Sequence, residues 1–222
     1  MKFSSAVLFP IFLVSTMTQA LPVVKVNFVF ATTTPQAQKY NNKETMLKQI
    51  QKLNAYFKTA HQQQIFQFKL NTFSDLDQTQ QSKCNFFKLI NRPATLDPYE
   101  AMNAFNQCFD KQKGTVHFVI FDGYSEQNKL NSISSWGFNN NNNPFVLIDW
   151  YQLKPSNSST DAHEMGHAFG LTHVCDAGVQ ANENSNIMTS SRCSGGNSGK
   201  QNLGFNKKQL DTILKHYQKL GH

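Results

Sequence analysis

The stretch His163-Glu164-Met165-Gly166-His167-Ala168-Phe169-Gly170-Leu171-Thr172-His173 constrains this chain more than any other. On a helix, His163 and His167 lie four residues apart on one face, so both imidazoles can reach a single ion. Glu164 falls one position round, beside that ion and not on it. Gly170 lets the backbone leave the helix through a left-handed conformation, which swings His173 back as a third nitrogen donor. Three neutral imidazoles with a fourth position open are the donor set of a catalytic zinc; structural sites are closed by four protein ligands. One Zn2+ held by His163, His167 and His173 is therefore the expected cofactor.

The pattern H-E-x-x-H-x-x-G-x-x-H resembles the zinc signature of the metzincin clan of metalloendopeptidases, whose second mark is a methionine turn beneath the metal. Ser185-Asn186-Ile187-Met188 is the candidate for that turn. The resemblance is specific over residues 161–188 and elsewhere rests on the order of elements. It implies an α/β (α+β) catalytic domain of two lobes, with a twisted mixed sheet and helices above a cleft. The upper lobe would cover about 21–172, and an irregular lower lobe ending in a helix would cover 173–222. It also implies a protein or peptide substrate held extended, with Met188 as an apolar floor and not a ligand. Glu164 would take a proton from the attacking water and pass it to the leaving amine. Subfamily marks are missing. Val174 follows the third histidine where astacins carry glutamate and matrixins usually serine. Ser190 stands two residues past Met188 where astacins and serralysins use tyrosine. No subfamily is assigned.

Residues 1–20 read as a signal peptide for secretion. Lys2 is the positive end, Ala6 to Val14 is apolar, and Thr18-Gln19-Ala20 ends in a small residue suited to cleavage. That run is well short of the roughly 20 apolar residues a membrane span needs, and no later segment is long and apolar enough, so no stable membrane insertion is expected. Only a couple of residues separate this segment from the first strand, which leaves no room for an ordinary propeptide. Residues 21–222 suit one domain acting as a monomer. Cys84, Cys108, Cys175 and Cys193 form an even set, which favours two disulfides in an oxidising compartment. Three connectivities are open; Cys84–Cys108 and Cys175–Cys193 each close a short local loop. The net charge of +7 is spread over scattered lysines and only two arginines. A nucleic-acid binder clusters its basic residues, so no nucleic acid is expected as a partner.

Val23–Thr32 reads as a first strand, and Asn42–His61 as a helix with a stripe of Met46, Ile50, Leu53, Phe57 and Ala60. Ile65–Leu70 alternates as a half-buried strand, so the opening predicts a parallel pair with a helical crossover. Asp97 caps a helix predicted to run to about Lys111, with Met102, Phe105 and Phe109 buried. Thr115–Phe121 reads as a central strand and Leu130–Phe138 as an exposed edge. Asn139–Asn143 is a polar turn, Phe145–Trp150 a strongly apolar strand, and Asn206–Leu220 a closing helix capped by Asn206 and Gln209. Asn157-Ser158-Ser159 matches a glycosylation sequon. The chief alternative is a secreted zinc-binding protein without catalysis, an adhesin or metal-sequestering factor. Such a site has no need of Glu164, and that residue argues against it.

Overall fold

The structure, a computed structural model, describes residues 20–32, 34–90, 96–122, 135–154, 159–174, 186–189 and 203–221. The expected signal peptide, the sequon at Asn157, the Cys175–Cys193 pair, Ser190 and residues 130–134 of the expected edge strand lie outside the described residues.

Strand β1 (Val23–Phe30) is followed by helix α1 (Lys43–Tyr56) and strand β2 (Gln67–Asp75). The β1–β2 pair is parallel, as a strand–helix–strand opening requires. Helices α2 (Gln78–Ser82), α3 (Asn85–Ile90) and α4 (Pro98–Cys108) follow, then strands β3 (Thr115–Phe121), β4 (Ser135–Phe138) and β5 (Phe145–Asp149). Helices α5 (Thr160–Ala168) and α6 (Lys207–Lys219) complete the set. The sheet order is β2-β1-β3-β5-β4, parallel throughout except for β4, which runs antiparallel along β5 at the free edge. This is the mixed α+β architecture expected from the order of elements.

Both faces of the central strands are buried, which explains why β3 and β5 are largely apolar, with His117 the one interruption inside β3. Alternate side chains divide between two cores. Val26, Phe28, Phe118, Ile120, Val146 and Ile148 pack with Met46 and Leu53 of α1, Met165 of α5 and Ile213 of α6. Val29, Val119, Phe121 and Leu147 face the other way, with Phe86 of α3 and Phe105 of α4. Phe105 stacks on Phe145 with ring centroids 4.1 Å apart.

The segment from 71 to 96, unplaced by sequence pattern, holds the end of β2, then α2 and α3. Asp77 and Gln80 cap α2 reciprocally. The Cys84–Cys108 disulfide ties the residue before α3 to the end of α4 across Cα atoms 5.8 Å apart. α4 ends there, short of Lys111, with Phe105 buried and Met102 and Phe109 half-buried.

α1 also stops early, at Tyr56, because the following backbone bonds elsewhere. Phe205 N–H donates to the Lys58 carbonyl at 2.7 Å, and Ala60 N–H to the Phe205 carbonyl at 2.8 Å. A Cβ on Gly204 would strike the Thr59 carbonyl, so only glycine permits this approach. Around it Phe57 meets Phe205 at 4.6 Å, Phe66 meets Phe169 at 5.3 Å and Phe66 meets Tyr217 at 4.7 Å. One aromatic junction thus joins the ends of α1 and α5 to α6.

Two stability predictions follow from these contacts. Replacing Cys84 and Cys108 together by serine opens a loop of separation 24 and should cost about 3 kcal/mol, read by urea unfolding with and without reductant. An unchanged midpoint would show that the bridge does not form in the folded protein. His117 on β3 is 3% exposed, and burial lowers its pKa to about 4. Unfolded, it titrates near 6.5. Between those values the unfolded chain binds the proton and the native chain does not, so stability is full above about pH 6.5 and falls as pH drops towards 4. The fall should approach about 3 kcal/mol and be shallower in His117→Gln, as unfolding at pH 7.5 and 4.5 would show.

Candidate metal centre and active site

α5 starts after Ser159 and ends at Ala168, carrying His163 and His167 on one side and Glu164 beside them. Its exit passes through Gly170 at φ +82°, the left-handed conformation that glycine adopts without steric cost. The turn returns His173 to the pair. The Nε2 atom of His173 lies 3.0 Å from that of His163 and 3.1 Å from that of His167. One ligand atom from each ring falls within 4.8 Å of the others.

The hydrogen bonds behind the rings decide what this convergence means. His163 Nδ1 lies 2.8 Å from the Ile187 carbonyl and His167 Nδ1 lies 2.7 Å from the Leu171 carbonyl. Carbonyl oxygens only accept, so both Nδ1 atoms carry the proton and both Nε2 atoms present lone pairs. Two lone pairs therefore face His173 Nε2, which has at most one proton to share. A cation resolves the conflict. Tetrahedral zinc at 2.0–2.1 Å from each nitrogen would set them roughly 3.3 Å apart, close to the observed spacing. Burial also lowers the pKa of His163 and takes that of His167 to about 4, which keeps these rings in the neutral state a ligand needs.

Glu164 is 8% exposed. Its carboxyl is raised to about 8, first by burial and then by the neighbouring Asp161; a hydrogen bond from the Gly137 backbone acts the other way. Asp161, one turn earlier, is itself raised to about 6 by burial, with Lys52 opposing. A divalent cation at the three imidazoles would pull both towards ionisation.

Met188 is fully buried under α5, against Gly166, where an added Cβ would collide with its sulfur. The turn around it supports the site through its backbone. Ile187 O receives His163, Met188 O receives the Val174 N–H at 3.1 Å, and Asn186 Oδ1 receives the Met188 N–H at 3.0 Å. Asn186 is held in turn by Gln209 of α6 at 3.0 and 3.1 Å.

The structure thus brings together His163, His167 and His173, with Glu164 alongside and Met188 beneath. A family model, metallo-peptidase family M12, matches residues 24–213. The chain belongs to metallo-peptidase family M12. Zinc-dependent peptide hydrolysis is the activity that goes with this membership. No curated protein matches the sequence. Among solved structures, the chain is similar to an archaemetzincin from Methanopyrus kandleri at 14% identity, over 87% of this chain and 94% of that one, with a TM-score of 0.46. It is also similar to a zinc-dependent peptidase from Methanocorpusculum labreanum at 15% identity, over 88% and 100%, with a TM-score of 0.30.

Several residues that shape the centre of this M12 peptidase have no sequence signal. Ile187 and Leu171 act through carbonyls, which any residue supplies. Gly137 is different, because a glycine between Trp136 and Phe138 in an edge strand invites explanation. A Cβ there would overlap the Glu164 carbonyl and press on His167 Cβ. The strand can approach the metal helix only because the side chain is absent. Gly137→Ala should therefore lower stability by about 1–3 kcal/mol and reduce bound zinc, measured by unfolding and metal analysis. Gly114→Ala, where nothing lies within 4 Å, carries only the strain of a positive φ and should leave zinc content unchanged. Equal zinc in both variants would refute the close-packing argument.

Proposed function

We propose that this M12 peptidase is a secreted endopeptidase in which Glu164 is general base and then general acid. The observation that carries the reading is the pairing of three converging imidazoles with a buried carboxyl beside them that is not part of the converging set. Zinc bound there supplies a Lewis acid and makes water nucleophilic near neutral pH. Glu164 receives the proton of the attacking water on a carboxylate oxygen and delivers it to the nitrogen of the leaving amine. The Gly137 N–H holds that carboxylate in place. Met188 and Gly166 fill the space below the ligands and keep water from that side.

The substrate is a peptide in extended form. β4 is the antiparallel edge of the sheet and its Gly137 touches the catalytic helix, so a chain pairing along this edge would lie beside Glu164. Secretion is supported by the signal-like residues 1–20 and by the Cys84–Cys108 bridge, which belongs to oxidising compartments. The protein works as a single chain, without nucleic acid, and no helix of the described residues is long and apolar enough to cross a membrane.

The test is digestion of a mixed protein extract by parent and Glu164→Ala, with mass-spectrometric mapping of new termini. The parent should generate internal cleavages, and the variant should lose at least 100-fold in rate, the lower range for a positioned acid–base group, with zinc retained. Cleavage by the variant at parental rate would remove Glu164 from the mechanism. New termini found only one or two residues from chain ends would replace endopeptidase by exopeptidase.

A further inference from the structure

The exit from α5 has a second layer of support, outside the metal ligands. Leu171 N–H donates to the Gly166 carbonyl at 3.0 Å and Gly170 N–H to the His167 carbonyl at 2.8 Å, the bond pair of a Schellman turn. These bonds leave the Ala168 carbonyl without an intrahelical donor. Asn139, the residue after β4, supplies one: its Nδ2 donates to Ala168 O at 3.0 Å. The same amide nitrogen lies 3.1 Å from His216 Nδ1 on α6. Because Nδ2 only donates, His216 Nδ1 is the acceptor. The His216 ring closes over Gly170, where an added Cβ would lie 2.5 Å from Nε2 and 2.8 Å from Cδ2.

The third ligand is the one that needs this. His163 and His167 are each oriented by a carbonyl behind Nδ1, whereas His173 is exposed and has no such bond among the described residues. Its place is set by backbone on either side. Downstream, Val174 N–H bonds to Met188 O. Upstream lies the Gly170 turn.

We propose that Asn139 and His216 are positioning residues for the third metal ligand: they clamp the Gly170 turn from outside and so fix where His173 stands relative to His163 and His167. The two come from different parts of the chain, the end of the edge strand and the last helix, and meet only at this turn. α6 thereby acts on metal affinity as well as on the core. The proposal rests on the reading of the three histidines as ligands.

The experiment is zinc binding by the metal-stripped full chain, in competition with a chromophoric chelator and without reference to activity. His216→Leu and Asn139→Ala should each weaken zinc about tenfold, the lower range for groups behind a ligand. The double variant should be little weaker than either single one, because the two act as one clamp. His216→Asn keeps an acceptor near the Nδ1 position and should restore most of the affinity. Leu214→Ala, on the same helix and packed on the core, should lower the unfolding temperature and leave zinc affinity unchanged. Affinities of His216→Leu and Asn139→Ala within twofold of the parent would overturn the proposal, as would equal weakening by Leu214→Ala. Should His216→Leu not fold, Asn139→Ala against His216→Asn decides by the same measure. A parent chain that binds no zinc would refute the ligand assignment itself, and the clamp with it.

Discussion

The three imidazoles and Glu164 all hang on a helix of nine residues or on the chain just after it. A helix that short is marginal alone in water, so packing must hold it, and the contact with the edge strand at Gly137 is the closest. Strand and helix meet there with no side chain between them. From below, Gly166 receives the Met188 sulfur; at the end, Phe169 enters the aromatic junction with Phe57 and Phe66. Both glycines serve one purpose, which is to let neighbours approach the helix backbone. Neither has a positive φ, so their role is spatial and not conformational. Gly170 is the opposite case: its φ of +82° is the requirement, and the ring of His216 then occupies the face where a side chain would stand.

The same helix carries two buried carboxyls one turn apart; burial makes both harder to ionise, and Asp161 adds to the effect on Glu164. Lys52 acts on Asp161 and the Gly137 N–H on Glu164, which is modest compensation for burying two acids together. His163 and His167, kept neutral by burial, add no positive charge. The site is thus short of a cation in two separate respects, lone pairs facing one another and carboxyls lacking a counter-charge. One divalent ion answers both, and its binding is thereby coupled to the stability of the helix.

The centre was legible in the sequence to the extent that its chemistry lives in side chains. The three histidines and Glu164 are named by their spacing, and the left-handed exit by Gly170. The parallel opening, the buried central strands and the capped last helix follow from period and capping residues. What stayed hidden depends on contacts far apart in the chain. α1 looks helical to His61 because Phe57 and Ala60 continue its apolar stripe, yet Lys58 and Ala60 bond to Phe205 nearly 150 residues on. β2 looks finished at Leu70 because residues beyond it are polar, although pairing with β1 carries it to Asp75. Asn139 and Asn140 read as parts of a low-complexity turn, but Asn139 caps α5, and Asn140 is buried and exchanges amide hydrogen bonds with Asn106.

Placement of Glu164 separates a hydrolase from a protein that merely stores metal. Storage would be served by the three imidazoles and by any fourth donor, with the remaining surface neutral or apolar. Here a carboxyl is buried at a cost, next to the ligands, and its one backbone donor comes from the free edge of the sheet. Edge strands are normally protected against pairing by charge or proline; the described part of this one, Ser135 to Phe138, has neither. An edge without charge or proline beside a buried carboxyl is a liability for a storage protein and suits a peptidase, whose substrate is itself a chain. In this M12 peptidase the fold sets a carboxyl that is only 8% exposed beside an edge strand of its sheet, a pairing for which a bare metal store has no use.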